Sequence, residues 1–200
     1  RAAWIQAAGG LAIDLIKPTI KSITVQNTAA SLSKLCRFTG QGKDFYSVAE
    51  HSVGVSRIIE YWYPGDYQLQ YDELHHDDVE SVVGDLSSPL KQECPDFQRI
   101  ECRHDKIFSQ KFGFRYPLNP IVKEADLMML DIERRQLFDV VLDWGLPCDS
   151  REDPVLNNWK IRCLDHYTAR SLYLERHVYL CDHLGLPYEG FHEPTWLGPG

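Results

Sequence analysis

Leu74-His75-His76-Asp77-Asp78-Val79-Glu80, followed by Gly84-Asp85-Leu86-Ser87-Ser88-Pro89-Leu90-Lys91, is the stretch that decides how the chain is read. Its first half carries four chemistry-bearing residues in a row. Its second half has the Gly, Ser and Pro that stop one element and start another. The apolar spacing before it predicts a helix from about Gln68 to Val83, closed by Gly84, and then a loop over residues 85–95. On a helix that turns about 100° per residue, adjacent His76 and Asp77 can converge on one ion. Glu80 lies three residues beyond Asp77 and four beyond His76, on the same face.

Working outward, Ser47-Val48-Ala49-Glu50 has the form of a capping box. A helix is expected to start at Ser47, to carry His51 in its second turn, and to stop at Pro64-Gly65. Before it, Trp4 to Pro18 with the Gly9-Gly10 pair reads as a short hairpin, residues 26–36 as a short helix, and residues 39–44 as a loop. After the central stretch, a helix is expected over about Phe97 to Phe112, stopped by Gly113. Asn119-Pro120 then supplies an N-cap and a proline in the first turn for a long helix that carries Asp126 and ends near Gly145. A polar loop from Cys148 to Pro154, a last helix from Leu164 to Leu184, and a Pro/Gly-rich irregular tail complete the pattern. The sum is five or six helices and almost no strand: an all-α bundle with an additional C-terminal helix. Residues 1–145 read as the main domain, and residues 146–200 as a helical extension and tail packed on it.

The bulk numbers agree with that class. The chain has 200 residues, 44 % apolar and 25 % charged, which suits one globular domain. It has no apolar run of about 18 residues, so no membrane span is expected, and no charged-then-apolar leader opens it. A formal net charge of −8 argues against a nucleic-acid binder, but not against a nucleotide received by a local metal or basic pocket. The six cysteines form no CxxC pair and read as reduced thiols of a cytoplasmic protein.

An adjacent His-Asp pair by itself is weak evidence for a metal. The order of the pieces carries more. Tyr46-Ser47-Val48-Ala49-Glu50-His51-Ser52-Val53, the central stretch, and Lys123-Glu124-Ala125-Asp126 together resemble the H…HD…D pattern of the HD-domain phosphohydrolases, over roughly residues 4–140. The resemblance implies an HD-domain helical bundle holding one divalent cation (Zn, Co, Mn or Mg) on His51, His76, Asp77 and Asp126. Pro89 and Lys91 set the alignment, so His76 rather than His75 is the paired histidine, and His75 is read as structural. Trp4-Ile5-Gln6 and Cys36-Arg37-Phe38-Thr39-Gly40 are similar to the 5′-deoxynucleotidase-like branch, and most of all to phage dATP triphosphohydrolases of the diaminopurine-genome pathway. Two positions depart from that branch: Gly40-Gln41 stands where Gly-His is common, and Asn27-Thr28-Ala29-Ala30 where Asp-Ile-Ala-His is common.

The expected activity is therefore hydrolysis of a deoxynucleotide, with dATP converted to deoxyadenosine and triphosphate. The alternatives are a 5′-deoxynucleotidase acting on monophosphates and a nucleotide-binding module without turnover. Asp77 is expected to steer a water and Glu80 to transfer the proton. Arg37 and Lys91 are expected to receive phosphate, with Lys43 and Lys106 in reserve and room for a further Mg brought by the triphosphate. Phe38 and Pro89 are the candidate walls for base or sugar. The same resemblance implies a homo-oligomer. His104, His166, His177, His183 and His192 are read as structural or surface residues.

Overall fold

The computed structural model describes residues 3–188; the tail beyond, with His192, lies outside the described residues. The fold is predominantly helical. A small antiparallel hairpin, β1 (Trp4–Gln6) and β2 (Ala12–Asp14), opens it, and Gly9 and Gly10 turn between them with φ of 77° and 84°. Such angles suit glycine, which has no Cβ to clash. The helices follow: α1 (Val25–Leu32), α2 (Val48–Trp62), α3 (Tyr67–Leu74), α4 (Glu80–Val83), α5 (Ser88–Gln92), α6 (Pro95–Phe112), α7 (Pro120–Leu137), α8 (Pro154–Asn157) and α9 (His166–Leu184). Among the described residues, no helix is long and apolar enough to cross a membrane, and all six cysteines are free.

Two apolar clusters hold the bundle. One gathers Leu32, Tyr71, Leu74, Phe108, Tyr173 and Leu180, so α9 shares a core with α1, α3 and α6. The other packs Val55, Ile58 and Ile59 of α2 against Val122, Met129 and Ile132 of α7. Helix α2 takes part in both, which places it at the centre. Its Gly54 has no side chain where the Met129 methyl sits: a Cβ there would fall 2.2 Å from Met129 Cε. That close approach brings α7 against α2 along the length that carries the site.

Several elements differ from the sequence reading. The expected helix over 26–36 ends at Leu32 because the chain turns extended: Cys36 bridges Ser47, and the Arg37 N–H donates to the Tyr46 carbonyl. Ser47 does cap α2 by accepting the Glu50 N–H at 3.2 Å, but the Glu50 carboxylate does not fold back. It accepts instead from the N–H groups of Arg162 and Leu164, tying α2 to the approach to α9. The loop expected over 85–95 contains α5, with Pro89 in its first turn. Helix α7 stops at Leu137 rather than near Gly145, and the Leu137 carbonyl accepts from the Lys43 N–H at 2.9 Å. The loop expected to run to Pro154 gives way to the short α8, capped by Asp153.

The difference that matters most is at the centre. The helix expected over 68–83 is two helices, α3 and α4, joined by a tight turn over 75–79. The N–H groups of His76, Asp78 and Glu80 donate to the carbonyls three residues back, those of Glu73, His75 and Asp77. This is the tighter 3₁₀ pattern, and it rotates successive residues by more than an α-helix does. Adjacent residues of the turn thereby serve different sides of the bundle.

Candidate metal centre

His51 sits on the buried face of α2 and is fully buried. Its Nδ1–H donates to Glu133 Oε1 at 2.6 Å, so Nε2 carries the lone pair and points inward. His76, in the turn, donates from Nδ1 to the Glu73 carbonyl at 2.7 Å and likewise leaves Nε2 as the free nitrogen. Asp77 Oδ2 lies 3.1 Å from His76 Nε2 and 3.6 Å from His51 Nε2. The donor atoms of His51, His76 and Asp77 all lie within 4.8 Å of one another, and these three residues could hold a metal ion. Both Nε2 atoms are buried and have no hydrogen-bond partner. A buried polar atom with no partner is costly. Two such atoms facing one carboxylate fit a cation, because each imidazole is already oriented through its other nitrogen.

The electrostatics say the same. Burial and the Arg37 charge oppose protonation of His51, but Glu133 and Asp126 outweigh them and raise its pKa. For His76 burial is likewise outweighed by the Asp77 carboxylate, and the imidazole is pushed well up. Asp77 and Asp126 are held well below the usual carboxylate range: burial opposes this, and the facing imidazoles prevail. The carboxylates thus draw positive charge onto the two imidazoles, and a cation held on the same Nε2 atoms would take the place of those protons.

The other expected residues fall around this triplet. Asp126, on α7, places Oδ1 3.4 Å from His51 Nε2, while its Oδ2 accepts from Lys123 Nζ at 2.7 Å. It flanks the triplet from the side. Glu80, in the first turn of α4, is 6 % exposed and its Oε2 has no partner. Burial first, then the like charges of Asp77 and Asp85, push its carboxyl well above the usual range. Lys91 is paired with Glu101 at 2.6 Å. Lys43 and Lys106, held in reserve for phosphate, are exposed and do not line the cavities at the site.

Arg37, expected to receive phosphate, has carboxylate partners within the site. Its guanidinium lies 3.1 Å from Glu133 Oε2 and 3.7 Å from Asp77 Oδ2, largely buried. It therefore anchors the carboxylate that orients His51. Glu133 itself was missed. Its signal was its spacing: seven residues after Asp126, two turns along the same face of α7. Asp85 was also missed; it lines the cavity with Glu80, five residues beyond it and past the Gly84 break.

His75, read as structural, belongs to a separate hydrogen-bonded cluster. It is fully buried, donates from Nδ1 to Asp78 Oδ2 at 2.6 Å, and accepts at Nε2 from His177 Nδ1 at 3.0 Å. The Tyr173 hydroxyl completes the cluster by donating to Asp78 Oδ1. His104 and His183 likewise bond backbone carbonyls, of Leu15 and Tyr179.

A cavity of about 610 Å³ opens beside the triplet. Its lining includes the carboxylates Asp77, Glu80, Asp85 and Asp126 and the apolar side chains Phe38, Pro89, Leu130, Trp144 and Leu146. A second cavity of about 290 Å³, lined also by His76 and Asp105, shares Asp77, Lys91, Lys123 and Asp126 with the first. The larger volume is that of an ordinary small-molecule site, with both charged and apolar groups in its lining.

No protein-family model matches the chain. It is similar to the uncharacterized protein YfdR of Escherichia coli K12, with 37 % identity over 115 residues, which is 58 % of this chain and 61 % of YfdR. It is also similar to the uncharacterized protein RCAP_rcc00048 of Rhodobacter capsulatus, with 28 % identity over 184 residues, 88 % of this chain and 94 % of that protein.

Proposed function

We propose that the chain is a metal-dependent phosphohydrolase acting on deoxynucleotides. The observation that carries this reading is the pair of unpartnered, buried Nε2 atoms of His51 and His76, converging with Asp77, which lines a nucleotide-sized cavity. The H…HD…D resemblance, with His51, His76, Asp77 and Asp126 in order, supports it from the sequence.

His51, His76 and Asp77, with Asp126 at their flank, would hold one divalent ion. Two imidazoles with carboxylates suit Zn, Co or Mn, and Mg less well. When bound, such an ion polarises a phosphoryl group and lowers the pKa of a water. The chain's own residues do the rest. Glu133 and the Glu73 carbonyl fix the two imidazole tautomers. Asp77 orients the incoming water, whose oxygen bonds to the α-phosphorus as the bond to the 5′-oxygen breaks, and the proton that this water gives up leaves with the phosphate product. Glu80 in its acid form delivers a proton to the departing 5′-oxygen and regains one from solvent after product release. Placed proton transfer of this kind contributes about 10²–10⁴-fold.

The nucleoside is one product for mono-, di- and triphosphates alike, and the other product tells them apart. The likeness of Trp4-Ile5-Gln6 and Cys36-Arg37-Phe38 to the phage branch supports dATP, giving deoxyadenosine and intact triphosphate. One observation favours the monophosphate reading instead: Arg37, Lys91 and Lys123, the cations lining the larger cavity, are each ion-paired, with Glu133, Glu101 and Asp126. A triphosphate would then arrive with its own Mg. Chromatography of the products from a deoxynucleotide panel, with Mn, Co, Zn and Mg in turn, is the test. Deoxyadenosine plus triphosphate from dATP is the expected outcome. Turnover confined to dAMP moves the protein to the nucleotidase reading. Absence of turnover with every metal overturns the phosphohydrolase reading.

A further inference from the structure

We infer that Trp144 is the stacking platform for the nucleobase, and that the site therefore takes the base by its face; this rests on the nucleotide reading above. Trp144 is not part of the sequence pattern that marks the centre. It lies in the irregular segment after α7, is 38 % exposed, and lines the same cavity as Asp77 and Glu80. A large aromatic ring open to a cavity offers an apolar, π-faced surface to a bound ligand.

The ring is held in place. Phe138 packs edge-on against it with centroids 5.5 Å apart and planes at 76°, and Phe38 packs at 5.9 Å and 57°. Phe38 and Phe138 meet each other edge-on at 5.4 Å. Phe38 is thus committed to bracing the cluster. Its backbone, with Thr39, takes the left-handed conformation, φ of 57° and 52°, which non-glycine residues adopt at a cost and which gathers at functional sites. Pro89, Leu130 and Leu146 complete an apolar surround. A planar heterocycle with an ester-linked phosphate fits a cavity that offers both kinds of surface: ring at Trp144, phosphate at the triplet. Stacking reads the area of a ring rather than its edges, because every base offers a π-face. Purines are therefore favoured over pyrimidines, while adenine and guanine are separated only weakly by this contact.

The experiment compares wild type with Trp144→Ala and Trp144→Phe on dAMP and on 2-deoxyribose 5-phosphate, which keeps the sugar and phosphate but has no base. Steady-state KM and kcat are measured, together with direct binding of both compounds by calorimetry and thermal melting as a control for folding. Base–aromatic stacking corresponds to about ten- to a hundred-fold in affinity. The Trp144→Ala variant is expected to lose about that much in KM and Kd for dAMP, at least ten-fold more than for 2-deoxyribose 5-phosphate, with Trp144→Phe in between. Equal losses on both compounds, or none on dAMP, overturn the assignment while leaving the phosphohydrolase reading in place. Base-dependent binding of dAMP by a wild type that turns over neither dAMP nor dATP would do the reverse. If wild type binds neither compound, both fall.

Discussion

His75 and Asp78 are the same residue types as His76 and Asp77, in the same five-residue turn, yet they belong to two chemically opposite regions. The first pair faces α9. There every polar atom has its counterpart: Asp78 accepts from His75 and Tyr173, and His75 accepts from His177, whose Nε2 meets the Cys181 thiol at 3.5 Å. The second pair faces the cavity, where His76 Nε2 has no hydrogen-bond partner and Asp77 lies between the two imidazoles and the Arg37 guanidinium. A satisfied buried network specifies structure, whereas a buried set with its donors left over is built to receive something. Identity of residue does not separate the two roles; the remaining hydrogen-bond capacity does.

The contrast can be sharpened from its reactive side. Replacing Glu80 by Gln keeps the shape of the cavity wall and removes the proton. Metal content is expected to stay at the wild-type level while kcat falls about 10²–10⁴-fold. Wild-type turnover by this variant would make Glu80 a structural acid and leave the proton step to another group, with Asp85 nearest in the cavity.

From the structural side, His75→Gln is expected to act in the opposite way. It strands Asp78 and His177 in the core, so urea unfolding should lose about 2–4 kcal/mol, summed over the groups left without partners. Metal affinity should change much less than stability. An equal loss of metal in a variant that still melts cooperatively would erase the distinction between the two pairs.

Between the regions stands Glu133, which orients His51 and is itself pinned by Arg37. Glu133→Gln keeps an acceptor but loses the charge, and Arg37→Ala frees the carboxylate. Each is expected to weaken metal binding about 10- to 100-fold, the usual effect of losing a group that orients a ligand. If Arg37→Ala instead leaves metal affinity intact and raises KM alone, Arg37 serves phosphate directly.

The sequence made the helical class and most helix ends legible, because capping and stop residues act locally: Ser47 before α2, Asn119-Pro120 before α7, Gly113 and Gly185 after α6 and α9. What it concealed depends on contacts distant in the chain. The break between α3 and α4 comes from side chains serving α9 about a hundred residues later, which periodicity within 68–83 cannot register. Residues His51, His76, Asp77 and Glu80 could be picked out by order and spacing. The commitment of Arg37 to Glu133 could not, since that bond spans 96 positions. Trp144 escaped for a similar reason: its place at the cavity is set by where α7 stops, and that end was read too late.

The most direct test is calorimetric titration of Co²⁺ or Mn²⁺ into metal-stripped wild type, His76→Ala, Asp77→Ala and His75→Gln, with cooperative unfolding checked for each. The account predicts one ion bound per chain in wild type and in His75→Gln, and loss of that site in His76→Ala and Asp77→Ala. Full binding by His76→Ala together with loss in His75→Gln would contradict it and transfer the centre to the other histidine of the turn.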